Sequence, residues 1–97
     1  MLGLKPTSRL ALKDNIMLQG IPELDHYYAF DTKTGDHYQL NHTAHWVLES
    51  IGNQTTFQEL LDIFAKSFEL SKATAENDLS EIIHNALENH IIKEVSP

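Results

Sequence analysis

The chain has 97 residues, 14 acidic and 7 basic, and its formal net charge at pH 7 is −7. A hydrophobic fraction of 41% in so short a chain predicts one globular domain over 1–97, with flexible ends at 1–8 and 96–97. Such a domain has little room for a deep catalytic cavity, which favours a binding module over an enzyme. The lack of cysteine excludes disulfides and cysteine-ligated metals, and no apolar run approaches the roughly 20 residues of a membrane helix. We therefore expect a cytoplasmic protein with no membrane partner.

The first part of the chain, residues 9–41, has the short apolar runs and turn residues of strands. One or two short strands are predicted up to residue 18, before Gly20 and Pro22 interrupt the run. Two further strands, at 27–30 and 38–40, flank a polar segment in which Gly35 can adopt the positive φ of a hairpin turn. The sequence predicts a hairpin here.

From residue 41 the apolar pattern changes from a strand period to a helical one. The first helix is predicted over about 42–51, with Gly52 as a left-handed cap. The second begins at Thr56, whose side chain can form a capping box with Glu59.

A third helix begins at Ser71 or Thr74 and ends near Asn89, a residue that tolerates the left-handed conformation. The β-branched segment 91–95 predicts a last short strand or wing. Strands that precede helices indicate an α+β fold, here an N-terminal antiparallel three-stranded sheet followed by three helices.

Several motifs resemble the PqqD family, the homologues of pyrroloquinoline quinone synthesis protein D. They are Tyr-Gln-Leu-Asn at 38–41, an apolar helix, Gly52, and Thr-Phe-Gln-Glu-Leu at 56–60. The end of the chain is also similar to the family's last helix and exit, because an Asp-Leu pair at 78–79 precedes the apolar pairs at 82–83 and 91–92.

The resemblance covers about residues 9–95 and departs from the family pattern at two positions. His90 stands where the family often has glycine, before the final apolar pair. Trp46 is an unusually large aromatic residue for the first helix.

The resemblance implies a RiPP recognition element, a winged-helix-like domain that binds the leader segment of a ribosomally made precursor peptide. Such a domain delivers the precursor to a modifying enzyme, such as a radical SAM maturase, a cyclase or a protease, and has no cofactor of its own. The leader would add as a strand to an edge of the sheet and lie against the third helix. Carried onto this sequence, the peptide-binding residues are His37, Tyr38, Gln39 and Leu40 on the strand, and Leu79, Ile82, Ile83 and Ala86 on the helix.

Strand alternation puts Tyr38 and Leu40 on one face of this edge and His37 and Gln39 on the other. The sequence leaves open which pair lines the groove. It also leaves open the precursor, the modifying enzyme, the product, and a homodimer formed by the same edge pairing.

The alternative functions are a winged-helix DNA-binding regulator and a protein-docking scaffold. The segment 73–92 has Asp78, Glu81 and Glu88 but no Lys or Arg, so its charge would repel phosphate and we expect no nucleic acid partner.

A metal site is a further hypothesis, because the sequence contains six histidines. The spacing of His42 and His45 would place two imidazoles about one helical turn apart, with His37 near them. No third ligand is fixed by spacing, so we expect no metal site.

Overall fold

The computed structural model describes residues 4–52 and 54–95. In this part of the chain the helices and strands follow the order β1 (Arg9–Leu12), β2 (Ile16–Ile21), β3 (His26–Asp31), β4 (His37–Leu40), α1 (His42–Ile51), β5 (Thr55–Thr56), α2 (Phe57–Ser67), α3 (Lys72–Glu88) and β6 (Ile92–Val95). A 3-10 turn at Pro22–Leu24 joins β2 to β3. The predicted α+β class, with an N-terminal three-stranded sheet and three helices, is confirmed.

Strands β2, β3 and β4 form an antiparallel sheet in chain order, which we call the meander sheet. The predicted hairpin joins β3 to β4, and Gly35 has the expected positive φ, 82°. Gly35 and Asp36 form a β-bulge opposite Asp31. The N–H of Asp31 donates to the Asp36 carbonyl at 2.8 Å.

The prediction that β2 ends before Gly20 is wrong, because the strand continues to Ile21. Gly20 pairs with Tyr27 on β3, and a Cβ built at residue 20 would lie 3.0 Å from the Tyr27 ring. The glycine therefore leaves room for a cross-strand aromatic ring and does not break the strand.

The second sheet, which we call the closing sheet, has β1 at its centre between β5 and β6. Both pairings are antiparallel, with Leu10 opposite Thr55 on one side and Glu94 on the other. The last strand is thus confirmed, and it lies beside the first strand rather than beside the meander.

The three helices begin where the polar residues predict. Asn41 Oδ1 accepts from the Ala44 amide at the start of α1, and Thr56 and Glu59 form the capping box of α2. For α3 the structure selects Ser71, whose hydroxyl accepts from the amide of Thr74.

Helix α3 ends near Asn89 as predicted, but the left-handed residue lies one position later than expected. Asn89 has a φ of −89° and is not left-handed, whereas the next residue, His90, has a φ of 60°. The left-handed turn after α3 is therefore made by the histidine that departs from the PqqD-like pattern described above. Histidine is among the non-glycine residues that adopt this conformation most often.

The core lies between the helices and the inner faces of both sheets. Its fully buried large side chains come from the three helices, from β1 and β6, and from the turn before β6, and are Phe64, Leu10, Leu48, Ile51, Leu60, Leu79, Ile83, Ile91, Ile92 and Val47. Residues 4–8 are joined to this body, because the amides of Phe57 and Gln58 donate to the carbonyls of Ser8 and Pro6. The remaining predicted flexible residues, 1–3 and 96–97, lie outside the described part. No helix within that part is long and apolar enough to span a membrane.

Candidate functional site

An open cleft of about 670 Å³ lies between β4 and α3, with its floor formed by core side chains. Its lining residues come from β4 and α1, from α2 and the loop after it, and from one face of α3 and the turn after it. They are Tyr38, Gln39, Leu40, Asn41, Thr43, Ala44, Leu48, Phe64, Phe68, Leu70, Asp78, Glu81, Ile82, Asn85, Ala86, Asn89 and Ile91.

One side of the cleft is a strand edge without a neighbour. Strand β4 pairs with β3 and, within residues 4–52 and 54–95, with no other strand. Bonded pairs alternate along an antiparallel ladder, and the Asp31 to Asp36 hydrogen bond sets their phase. The backbone groups of Tyr38 and Leu40 therefore bond to β3, and those of Gln39 point away from it, toward the open edge.

The side chains of β4 divide between two environments. Tyr38 and Leu40 are half-buried, pack against the core and line the cleft. The Gln39 side chain is exposed, and this residue borders the cleft at the strand edge. His37 is exposed at the start of the strand, where its ring meets Phe30 edge-on with centroids 5.5 Å apart.

The other side of the cleft is one face of α3. Ile82 and Ala86 line it, whereas Leu79 and Ile83 are fully buried in the core behind the helix. Of the predicted peptide-binding residues, the cleft brings together Tyr38, Gln39, Leu40, Ile82 and Ala86. His37, Leu79 and Ile83 do not line it.

Aromatic and aliphatic residues at the end of α2 complete the cleft, and sequence reasoning did not assign them to it. Phe64 and Phe68 lie with ring centroids 5.0 Å apart, and Leu70 follows them in the loop before α3. Trp46 on α1 supports this group, because its ring meets Phe68 edge-on at 5.1 Å. The signal was the apolar spacing of Phe64 and Phe68, which alone does not distinguish a core position from a cleft position.

The charged residues that line the cleft are Asp78 and Glu81, both exposed on α3. The carboxyls with lowered pKa lie elsewhere. The pKa of Asp31 is lowered chiefly by a hydrogen bond from the Asn15 side chain, and that of Glu59 by a hydrogen bond from the Thr56 amide. Both shifts belong to turns and caps that shape the fold.

A smaller pocket on the other side of α1 is lined by His42 and His45, whereas His37, the third histidine of the metal hypothesis, does not line it. His42 and His45 both pack on the ring of Tyr27, at centroid distances of 5.5 and 4.8 Å. His45 is buried, and its Nδ1 lies 3.5 Å from Oε1 of Glu49. Within residues 4–52 and 54–95 no group of three or more potential ligands is placed to hold a metal ion.

Sequence comparison identifies the family. The profile of the family described as coenzyme PQQ synthesis protein D (PqqD) matches residues 27–92, which is 66 of the 97 residues and spans every residue that lines the cleft. The chain belongs to the PqqD family. No match to a curated protein was found.

Two solved structures share the fold of this PqqD family member. One is TbiB1 in complex with the TbiA(β) leader peptide, at 16% identity and a TM-score of 0.70, covering 90% of this chain and 99% of that one. The other is the solution NMR structure of the PqqD truncation of Methylobacterium extorquens PqqCD, described as a functional, stand-alone RiPP recognition element. It has 12% identity and a TM-score of 0.75, and covers 94% of this chain and 95% of that one.

Proposed function

We propose that this domain is a RiPP recognition element, which binds the leader segment of a ribosomally made precursor peptide by strand addition. Support comes from membership of the PqqD family and from the fold shared with a stand-alone recognition element and with a leader-peptide complex. The observation that carries the proposal is the open edge of β4, which borders an apolar cleft.

Strand addition uses two sources of binding free energy. The outward N–H and C=O of Gln39 would bond to the leader backbone and give affinity that depends little on sequence. Apolar leader side chains at alternate positions would enter the cleft, where Phe68 and Ile82 offer half-buried surface. Such contacts would select among peptides.

The role is binding, and the chemistry belongs to a partner enzyme. A domain that holds the leader and also docks on a modifying enzyme raises the effective concentration of the precursor at that enzyme. A radical SAM maturase, a cyclase and a protease are the enzyme classes we propose as partners, in the cytoplasm. We propose no cofactor for the domain itself.

The DNA-binding alternative receives no support from the structure. Asp78 and Glu81 lie on the face of α3 that borders the cleft. A helix that enters a DNA groove needs basic residues around it, and these two acidic residues would repel the phosphates. A protein-docking scaffold differs from the proposal in the chain that binds, so the experiment must identify that chain.

The test is affinity capture from a lysate of the source organism, with bound peptides and proteins identified by mass spectrometry. Two variants serve as baits beside the wild type. Gln39→Pro removes the outward N–H and keeps the ladder bonds of Tyr38 and Leu40, while Gln39→Ala changes the same side chain and keeps the N–H. Circular dichroism and thermal unfolding would first establish that both variants are folded.

We expect the wild type and Gln39→Ala to capture a short precursor and its modifying enzyme, and Gln39→Pro to lose the precursor. A precursor that binds all three baits equally would contradict strand addition at β4. Capture of DNA, or of one unrelated protein without a peptide, would contradict the recognition role.

A further inference from the structure

The charge of the cleft is of one sign. Asp78 and Glu81 are its charged lining residues, and the other polar lining residues, among them Gln39, Asn85 and Asn89, are neutral. Within residues 4–52 and 54–95, neither carboxylate has an ion-pair partner, and His45 with Glu49 is the pair that lies at ion-pair distance.

The two carboxylates stand beside the apolar surface of the cleft. On α3 they occupy the same face as Ile82, which lines the cleft four residues after Asp78 and directly after Glu81. An extended peptide beside β4 would place alternate side chains toward this face. A peptide side chain long enough to pass Ile82 would reach the carboxylates.

We infer that the leader segment bound here carries a Lys or Arg close to its apolar anchor residues, and that Asp78 and Glu81 select it. This inference rests on the proposed function and adds the chemistry of the ligand. Opposite charges favour a basic peptide, and an acidic one would place like charges across a partly desolvated cleft. The aliphatic stem of a Lys or Arg would also cover the apolar surface beside the carboxylates.

The inference concerns specificity more than total affinity. Exposed ion pairs are individually weak, and we expect the two together to change affinity about three- to tenfold, which corresponds to about 0.7–1.4 kcal/mol. The effect should decrease with added salt, because the Debye length falls from about 10 Å at 0.1 M to about 3 Å at 1 M.

The experiment uses a display library of random peptides as the probe, selected on the whole chain. Peptides of about 12 residues span roughly 40 Å when extended, longer than the 34 Å of the domain. The selected peptides are sequenced, synthesised, and titrated by fluorescence anisotropy against the wild type and the variants.

The variant Asp78→Asn/Glu81→Gln removes both charges from the cleft. Its matched control is Glu76→Gln/Glu88→Gln, which makes the same change in net charge at two exposed positions of α3 that do not line the cleft. Charge exchange adds a rescue, with Asp78→Lys/Glu81→Lys paired with peptides in which Glu replaces the selected Lys or Arg.

We expect the selected peptides to be enriched in Lys or Arg next to apolar residues. Their affinity should fall about three- to tenfold with Asp78→Asn/Glu81→Gln, stay within about twofold for the control, and recover in the charge-exchanged pair.

Two other outcomes separate this inference from the proposed function. In the first, the selected peptides need the Gln39 N–H but are not enriched in Lys or Arg, or they lose equal affinity in Asp78→Asn/Glu81→Gln and in its control. That outcome would overturn the inference and leave strand addition standing. Peptides that bind Gln39→Pro as tightly as Gln39→Ala would overturn strand addition and, with it, the inference.

Discussion

The two sheets contain three strands each, yet they differ in what lies beside them. In the closing sheet the central strand β1 pairs on both sides, with β5 and β6, which are far from it in the chain. In the meander sheet the strands are neighbours in the chain, and β4 is left with one open edge beside the cleft. One sheet therefore joins the beginning of the fold to its end, and the other leaves an edge of β4 unpaired within the described residues. The same kind of hydrogen-bonding group contributes to stability in the first sheet and, under the proposed function, to leader binding in the second.

The largest expected effect is on the closing sheet. Leu10 is fully buried at the centre of β1, so Leu10→Ala should lower the free energy of unfolding by about 2–5 kcal/mol. Urea denaturation measures the loss. Leu40→Ala, at a half-buried position of the open strand, is the matched control and should cost less. Equal losses would show that both sheets contribute alike to stability.

A substitution at the open edge of β4 should lower leader affinity and change stability little. Gln39→Pro removes a donor and places its ring where a partner strand would lie, so we expect it to weaken leader affinity about tenfold or more, or about 1.4 kcal/mol. The free energy of unfolding should change little, because proline is tolerated in edge strands. Anisotropy with the captured leader peptide tests the affinity, and Gln39→Ala provides the reference. A large loss of stability with retained leader binding would show that the edge at Gln39 contributes to the fold and not to binding.

The two faces of α3 sharpen the comparison within one helix. Leu79→Ala should lower unfolding free energy by about 2–5 kcal/mol, because Leu79 is fully buried. Ile82→Ala removes half-buried surface at the cleft and should weaken leader affinity about tenfold while costing less stability. Paired urea and anisotropy titrations of the two variants separate these effects. If Ile82→Ala left affinity unchanged, the proposed wall of the binding site would be misplaced.

A smaller effect is expected where the chain turns from α3 into the closing sheet. His90 holds a φ of 60°, a conformation that costs an L-residue about 1–2 kcal/mol. We expect His90→Gly to stabilise the fold by about 0.5 kcal/mol, because the added entropy of the unfolded chain offsets part of the gain. Asn89→Gly, one residue earlier at a φ of −89°, should destabilise. Thermal unfolding of both variants shows whether the strain is at residue 90.

The smallest effect concerns the turn into the open strand. Hydrogen bonds from Asn15 and from the Lys33 amide hold the pKa of Asp31 below its ordinary value of 3.8. Since folding favours the ionised form, its contribution is complete above that value and is lost as pH falls through the folded pKa. Unfolding free energy should therefore decline below about pH 4 more steeply in the wild type than in Asp31→Asn. Parallel curves of unfolding free energy against pH over that range would show that Asp31 does not contribute to the loss of stability in acid.

Local chemistry explains which parts of the molecule could be predicted. The bounds of α1, the capping box of α2 and the hairpin at Gly35 each depend on residues a few positions apart, so the sequence contains the whole interaction. The extent of β2 was missed because the room that Gly20 provides is filled by Tyr27 from the next strand. The left-handed residue after α3 was misplaced by one, since Asn89 and His90 both tolerate the conformation and the turn geometry selects between them.

The sequence by itself determined the class of fold, the family, and two of the segments that contribute to the candidate site, 37–40 and 79–86. The tertiary structure decided which of their residues line the cleft. Leu79 and Ile82 have the same apolar character and lie three positions apart, and only the packing of α3 buries one and leaves the other beside β4. Packing also places Phe68 in the lining of the cleft, which its apolar spacing in the sequence does not show. A periodic pattern records that a side chain is apolar, whereas the neighbour that covers it comes from a distant part of the chain.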